Sequence, residues 1–393
     1  MRTLPAWTPG LAWLLLPTAA CTPDFDPQSL ILEPRVIGIR ADPPEVDFQP
    51  ETQGDVTLTA LLAAPEEPPD GAPGPWEVQE MRWTVCPLNL GAQAAYRCAI
   101  DETPLEGDLS TRSVFFEGAL LWAALELLRP LTPDVLEFLK QTVTQSDTCL
   151  LDLLKTWDQC LQTNDQETAP CVDPAFEGLR TCLVEAGQDV TFHLQVTWEN
   201  GRDTRTQDAY KRVFFRRVTA DNPANRNPAF SLWLEPTEGA DLRRITATGG
   251  PSDARVLACP GQDLRLEPRF LPGAREAHPS ETGQMEDEYW FFSWLATWGE
   301  FDRIKSSTAT VNPTDPLQLG NVLALPEAED FPESFPVWVV ARDDRLGMDF
   351  VTFQVQRGDD DRCLPPDGAP KDWQPPAPEV LPPALAETTG GAP

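Results

Sequence analysis

The stretch DVTFHLQVTW, Asp189 to Trp198, decides the fold class. Apolar and polar side chains alternate along it, which puts Phe192 and Leu194 on one face and His193 on the other, the period of a half-buried β-strand. Asn200-Gly201 follows and favours a hairpin turn, and Ala209 to Val218 returns as the partner strand. Outward from this hairpin the pattern recurs. Arg35 to Arg40 (RVIGIR) alternates and stops at Asp42-Pro43-Pro44, and Asp55 to Leu62 (DVTLTALL) puts Val56, Leu58 and Ala60 on one side. Glu80 to Val85 does the same with Met81, Trp83 and Val85. Downstream, Leu264 opens a strand, and Tyr289 to Trp298 (YWFFSWLATW) aligns Trp290, Phe292 and Trp294. Phe335 to Arg342 and Met348 to Val355 are joined by the short hairpin connection Asp343 to Gly347. Strands of this length between Pro- and Gly-rich turns read as β-sandwiches, so the expected class is mainly β.

The region 114–186 breaks the alternation. Gly118 to Leu128 has helical composition and ends at Arg129-Pro130; Thr132-Pro133, Asp147 and Asp173-Pro174 supply starts for three more helices. Four cysteines recur every eleven residues, at Cys149, Cys160, Cys171 and Cys182. Eleven residues advance a helix by about 1100°, roughly 20° from whole turns, so Cys149 and Cys160 share a face. They cannot bond each other within one helix, being about 16 Å apart along it where a disulfide needs Cα atoms within about 7 Å. An antiparallel hairpin with nested bridges Cys149–Cys182 and Cys160–Cys171 satisfies the spacing. The alternative, 149–171 with 160–182, suits a parallel pair that the short connection disfavours. These forty residues resemble the twin-cysteine helical hairpins in architecture only. Cys86 with Cys98 would close a short loop, and Cys259 with Cys363 would staple the second β region.

The N-terminus carries a different signal. Arg2 precedes the apolar run Leu11 to Leu16, then Pro17-Thr18-Ala19-Ala20 and Cys21. A basic start, a short apolar core and small residues before a break describe a secretory signal over 1–20, too short to span a bilayer. The small residues before Cys21 resemble the bacterial lipobox, with Thr18 where Leu is usual. That resemblance implies diacylglycerol on the Cys21 sulfur, cleavage after Ala20, an acylated amine, and a tether over 21–33 that holds the chain to a membrane. Thr22, where enterobacterial retention signals carry Asp, points to the outer membrane of the cell envelope by analogy.

Charge and motif content narrow the functions. With 62 acidic against 30 basic residues, the formal charge is −32, which repels nucleic acid and anionic headgroups. Eight cysteines beyond Cys21 fit disulfides in an exported chain, and no C-x-x-C pair marks zinc. His193 and His278 belong to no H-E-x-x-H pattern; no G-x-S-x-G elbow or glycine-rich phosphate loop occurs. No cofactor, metal or catalytic residue is expected. Trp290 and Trp294 read as core, whereas Trp298, at the strand end, is the candidate exposed aromatic for a glycan.

Several segments resemble uncharacterised lipoproteins of the myxobacterial type with tandem immunoglobulin-like domains: Arg35 to Val46 (RVIGIRADPPEV), Trp83 with Cys86-Pro87, Trp294 with Gly299-Glu300-Phe301, and Val339 to Asp343. The resemblance spans both β regions and not the insertion; it implies an immunoglobulin-like β-sandwich over 34–219, into which the disulfide-locked α-helical insertion read above at 114–186 is set, and a second over 228–357. Asp221 to Asn227 reads as a linker, and 358–393 as a Pro-rich disordered tail. The expected function is non-catalytic: a lipid-anchored envelope protein that binds or scaffolds a protein partner, with the insertion as the binding element. The alternatives are a carbohydrate-binding module and a hydrolase with a carboxylate pair.

Overall fold

In the computed structural model the alternating segments are strands. The structure describes residues 28–49, 54–65, 74–87, 102–105, 112–126, 187–235, 243–246, 254–279, 284–308, 319–365 and 374–381, with single positions at 98, 152, 155, 177, 178, 180–182, 184 and 370. The signal segment 1–20 and Cys21 lie outside the described residues, as does most of the insertion.

In the N-terminal half, β1 (Arg35–Asp42), β3 (Val56–Ala63) and β6 (Ser113–Phe116) form an antiparallel sheet in the order β1-β3-β6. A five-stranded sheet has the order β2-β8-β7-β4-β5, from β2 (Glu45–Asp47), β4 (Glu77–Cys86), β5 (Thr103–Pro104), β7 (Gln188–Glu199) and β8 (Thr204–Arg216). Strands β7 and β8 are the hairpin read from the sequence, paired from Gln188↔Phe215 to Glu199↔Thr204. At its tip Asn200 Oδ1 accepts from the amides of Arg202 (3.1 Å) and Asp203 (2.7 Å), while Gly201 takes φ 81°, a left-handed conformation that glycine adopts without a Cβ penalty. The inward residues of β7, Val190 to Trp198 at every second position, meet Leu58 and Ala60 of β3 in one buried core.

In the C-terminal half, β9 (Phe230–Glu235), β10 (Arg243–Thr246), β12 (Asp263–Phe270), β16 (Glu300–Phe301) and β18 (Asn321–Ala324) form a sheet in the order β10-β9-β12-β18-β16. The facing sheet has the order β17-β15-β19-β20-β11-β21, from β11 (Arg255–Ala258), β15 (Trp290–Ala296), β17 (Lys305–Ser307), β19 (Ser334–Asp343), β20 (Met348–Arg357) and β21 (Glu379–Leu381). A small hairpin of β13 (Ala277–Pro279) and β14 (Met285–Asp287) lies beside them. Trp290, Phe292 and Trp294 are buried together in this second core, on the face that the alternation assigns to them. The Trp294 indole donates to Ser306 Oγ at 3.1 Å, so its one polar atom is satisfied.

A third apolar layer joins the halves. Ile37, Leu61 and Ala63 point out of the three-stranded sheet and meet Leu295, Trp338, Val340, Met348 and Phe350 on the outer face of the six-stranded sheet. Four sheets therefore stack with three apolar layers between them.

Three segments differ from their sequence reading. The tether ends early: Ile31 is buried in the third layer, its amide donating to Ala296 O (2.8 Å) while Ser29 O accepts from Ala296 N (3.0 Å). The tail is not wholly irregular. A short helix, α2 (Asp360–Cys363), is followed by β21, which pairs antiparallel with β11 and covers what would be a sheet edge. Asp221 to Asn227 is no free linker, because Asn225 is buried between the halves.

Candidate functional site

The cysteines fall as follows. Cys86–Cys98 and Cys259–Cys363 are disulfides. Cys182 is disulfide-bonded and buried against the first core, whereas Cys149, Cys160 and Cys171 lie outside the described residues. Trp298 is not an exposed platform: it is half-buried against the second core, because its strand end folds onto apolar neighbours. With Trp290 and Trp294 fully buried, the three indoles share no open face.

The first site-like feature is the root of the segment 117–186. Helix α1 (Gly118–Glu126) starts where Gly118 N donates to Asp55 Oδ1 at 3.2 Å, a carboxylate at a helix N-terminus. Leu121 is buried and the Trp122 ring stacks on buried Phe48 at 4.2 Å between centroids. From the other end of the segment, the Arg180 guanidinium lies 4.7 Å from the Trp122 centroid. Val184 O accepts from Arg217 N at 3.1 Å, and Val184 packs on the core beside Cys182. Both ends of the segment are thus held on the same patch of the first core. Around this root Phe115 and Leu120 remain exposed.

The second feature is on the outer face of the five-stranded sheet. His193 is bracketed by carboxylates, with Nδ1 3.2 Å from Glu102 Oε2 and Nε2 2.8 Å from Asp208 Oδ1. Exposed Tyr210 stacks on the imidazole at 4.5 Å. The hydrogen bond from His193, then that from Gln195, holds the Asp208 carboxyl below its ordinary pKa. Thr84 lies 3.5 Å from Nδ1, but its hydroxyl donates to Glu102 at 2.5 Å, so it is not aligned as a nucleophile on the imidazole. Among the described residues no three metal-ligating side chains converge. The sequence reading saw His193 as a strand-surface residue and missed its partners, which come from 91 and 15 residues away.

The third feature is polar and lies between the halves. Glu45 accepts from Arg216 Nε and, at 3.1 Å, Arg216 Nη2 on the first half; Asn225 N (2.6 Å) and Arg345 Nη2 (2.7 Å) donate to the same carboxylate. Asn225 Nδ2 donates to Asp343 Oδ2 and Arg345 O, both at 3.1 Å. Lys211 Nζ donates to Leu346 O, and Arg342 Nη2 to Ile37 O at 2.9 Å. Arg345 Nη1 stands 3.7 Å from both Glu276 and Glu288.

Burial raises the Glu288 carboxyl to about 7 and Asp349 to about 6, and lowers Lys211 to about 8. A carboxyl raised in the folded state holds a proton that the unfolded chain has lost. Stability therefore falls as pH rises from about 4.5 to 7 for Glu288. Lys211 acts oppositely: its contribution falls as pH drops towards 8. Denaturant midpoints should accordingly pass through a minimum between about pH 7 and 8. Glu288→Gln should remove much of the fall, gaining on the order of 2 kcal/mol over the wild type at pH 8 relative to pH 5. Parallel wild-type and variant profiles would refute this.

No protein-family model matches the chain, and no curated protein is significantly similar to it.

Proposed function

We propose that the chain is a lipid-anchored envelope protein of non-catalytic type, made of two immunoglobulin-like sandwiches, whose α-helical insertion binds a protein partner. The observation that carries this reading is the double-ended root of the insertion. Phe48, Trp122 and Arg180 stack in sequence while Leu121 and Cys182 enter the core. An element fixed at both ends presents its outer surface at low entropic cost, which favours recognition. Cys21 supplies the membrane anchor, and the body is held close to it because Ser29 and Ile31 are already docked on Ala296. Nested bridges Cys149–Cys182 and Cys160–Cys171 stiffen the insertion in this reading.

The test is a chain in which 127–176 is replaced by a short Gly/Ser bridge and Cys182, whose bridge partner leaves with the segment, by Ala, keeping Val114, Phe116, Leu121 and Trp122. The expected result is loss of helical signal only, with the β-sheet signal and the unfolding midpoint of the two sandwiches kept, and loss of the envelope protein that co-purifies with the full chain. Retained co-purification would move binding off the insertion. Mass spectrometry of the N-terminal peptide tests the anchor independently, by the acyl mass on Cys21. A second reading, glycan binding, rests on Tyr210, 63% exposed above His193 on a flat polar face. A broad glycan panel showing no difference between wild type and Tyr210→Ala would remove it.

A further inference from the structure

Among the described residues, one end of the first sandwich has a gap between its two sheets. Strand β3 ends at Ala63, β4 begins at Glu77, and β7 reaches its last residues at Trp198 and Glu199. The β4–β7 ladder shifts register between Val78 and Glu80, an irregularity that locally bends a strand and re-aims its side chains. The gap is a cleft of about 350 Å³. Leu62, Met81 and Trp198, all buried, lie beneath it, and half-buried Trp76 lines it. Arg112 and Glu77 line it too. Both are exposed, and neither side chain makes an ion pair or hydrogen bond among the described residues. Arg112 is nonetheless fixed at its backbone, since its carbonyl accepts from Ala60 N at 2.8 Å.

We propose that this cleft binds a small apolar zwitterion, a free amino acid with an aromatic or branched side chain. Three arguments select this class. The volume lies at the lower end of the range for small-molecule sites and suits one side chain with its head group, not a long acyl chain. The half-buried Trp76 indole offers an aromatic body a ring to pack against. The free guanidinium matches a carboxylate, and the free carboxylate matches an ammonium. Net charge points the same way. A chain at −32 repels a free anion at long range, whereas a zwitterion carries no net charge.

Isothermal titration calorimetry of the full chain with L-phenylalanine tests this, with N-acetyl-phenylalanine amide as the probe lacking both charges. The expected result is saturable binding of phenylalanine and at least tenfold weaker binding of the capped amide. Arg112→Gln and Glu77→Gln should each weaken phenylalanine by about tenfold or more. Because both side chains are exposed, unfolding midpoints should stay within experimental error of the wild type. No saturable binding of phenylalanine, leucine or tryptophan at millimolar concentration would overturn the proposal. So would equal affinity for the capped amide, which would leave a plain apolar cavity.

Discussion

Arg345→Met lowers the unfolding free energy by about 3 kcal/mol or more, the loss expected when one partner of a buried ion pair is removed. The guanidinium is one cation serving three carboxylates: Glu45 at 2.7 Å, and Glu276 and Glu288 each at 3.7 Å. Glu45 keeps Arg216 when Arg345 is gone. Glu288 does not have such a reserve; its Oε1 has no hydrogen-bond partner, and its other oxygen accepts from Trp290 Nε1 and Glu276 N at 3.2 Å. Glu276 keeps Arg226 at 3.1 Å, so the damage concentrates on Glu288. Methionine keeps the aliphatic stem and leaves the Arg345 backbone bond to Asp343 Oδ1 in place, so the variant isolates the charge. Adding Glu288→Gln should recover part of the loss, and the double-mutant cycle measures how much of the coupling lies in that pair. A loss below 1 kcal/mol at pH 8 would mean that water already screens the cluster.

The sequence reading reached the strands but not how the layers meet. Asp189 to Trp198 was legible because one of its faces is buried and the other is not, which leaves a period of two in the residues themselves. Phe335 to Arg342 carries a further signal that alternation alone passes over. Trp338 and Val340 are apolar on the face opposite Val337 and Val339, and a strand apolar on both faces is covered on both faces. Leu61 beside Leu62 says the same for β3. Those doubled runs mark the third apolar layer. The polar contacts between the halves left no such trace. Asn225 reads as loop because Asn favours turns, yet its partners Glu45 and Asp343 lie 180 and 118 residues away, beyond any local pattern. Arg112 and Glu77 are likewise ordinary surface residues in sequence, and the fold brings them to the lining of one cleft. Leu30-Ile31-Leu32 is an apolar triplet inside the supposed tether, and Ile31 is buried as that composition suggests.

Opening the Cys259–Cys363 bridge, by the Cys259→Ala/Cys363→Ser pair, costs about 5 kcal/mol, and opening Cys86–Cys98 costs about 3 kcal/mol. The difference comes from loop length. The bridges span 104 and 12 residues, and the entropy that a cross-link removes from the unfolded chain grows with the logarithm of the closed loop, here by about 2 kcal/mol. The long bridge encloses most of the second core, with β9, β10 and β11 contributing from outside the loop. Cys259 follows β11 and Cys363 ends α2, just past β20, so the bond joins the parallel pair β11–β20 at one end. Beyond it, Arg362 meets Glu379 at 3.1 Å and β21 continues the sheet. Loss of the bridge should therefore also expose the β21 amides to faster hydrogen exchange, whereas the Cys86→Ala/Cys98→Ala variant should leave them unchanged. Denaturant unfolding of both variants supplies the ranking. Equal losses would show that folded-state contacts around each sulfur, not chain entropy, set what these bridges contribute.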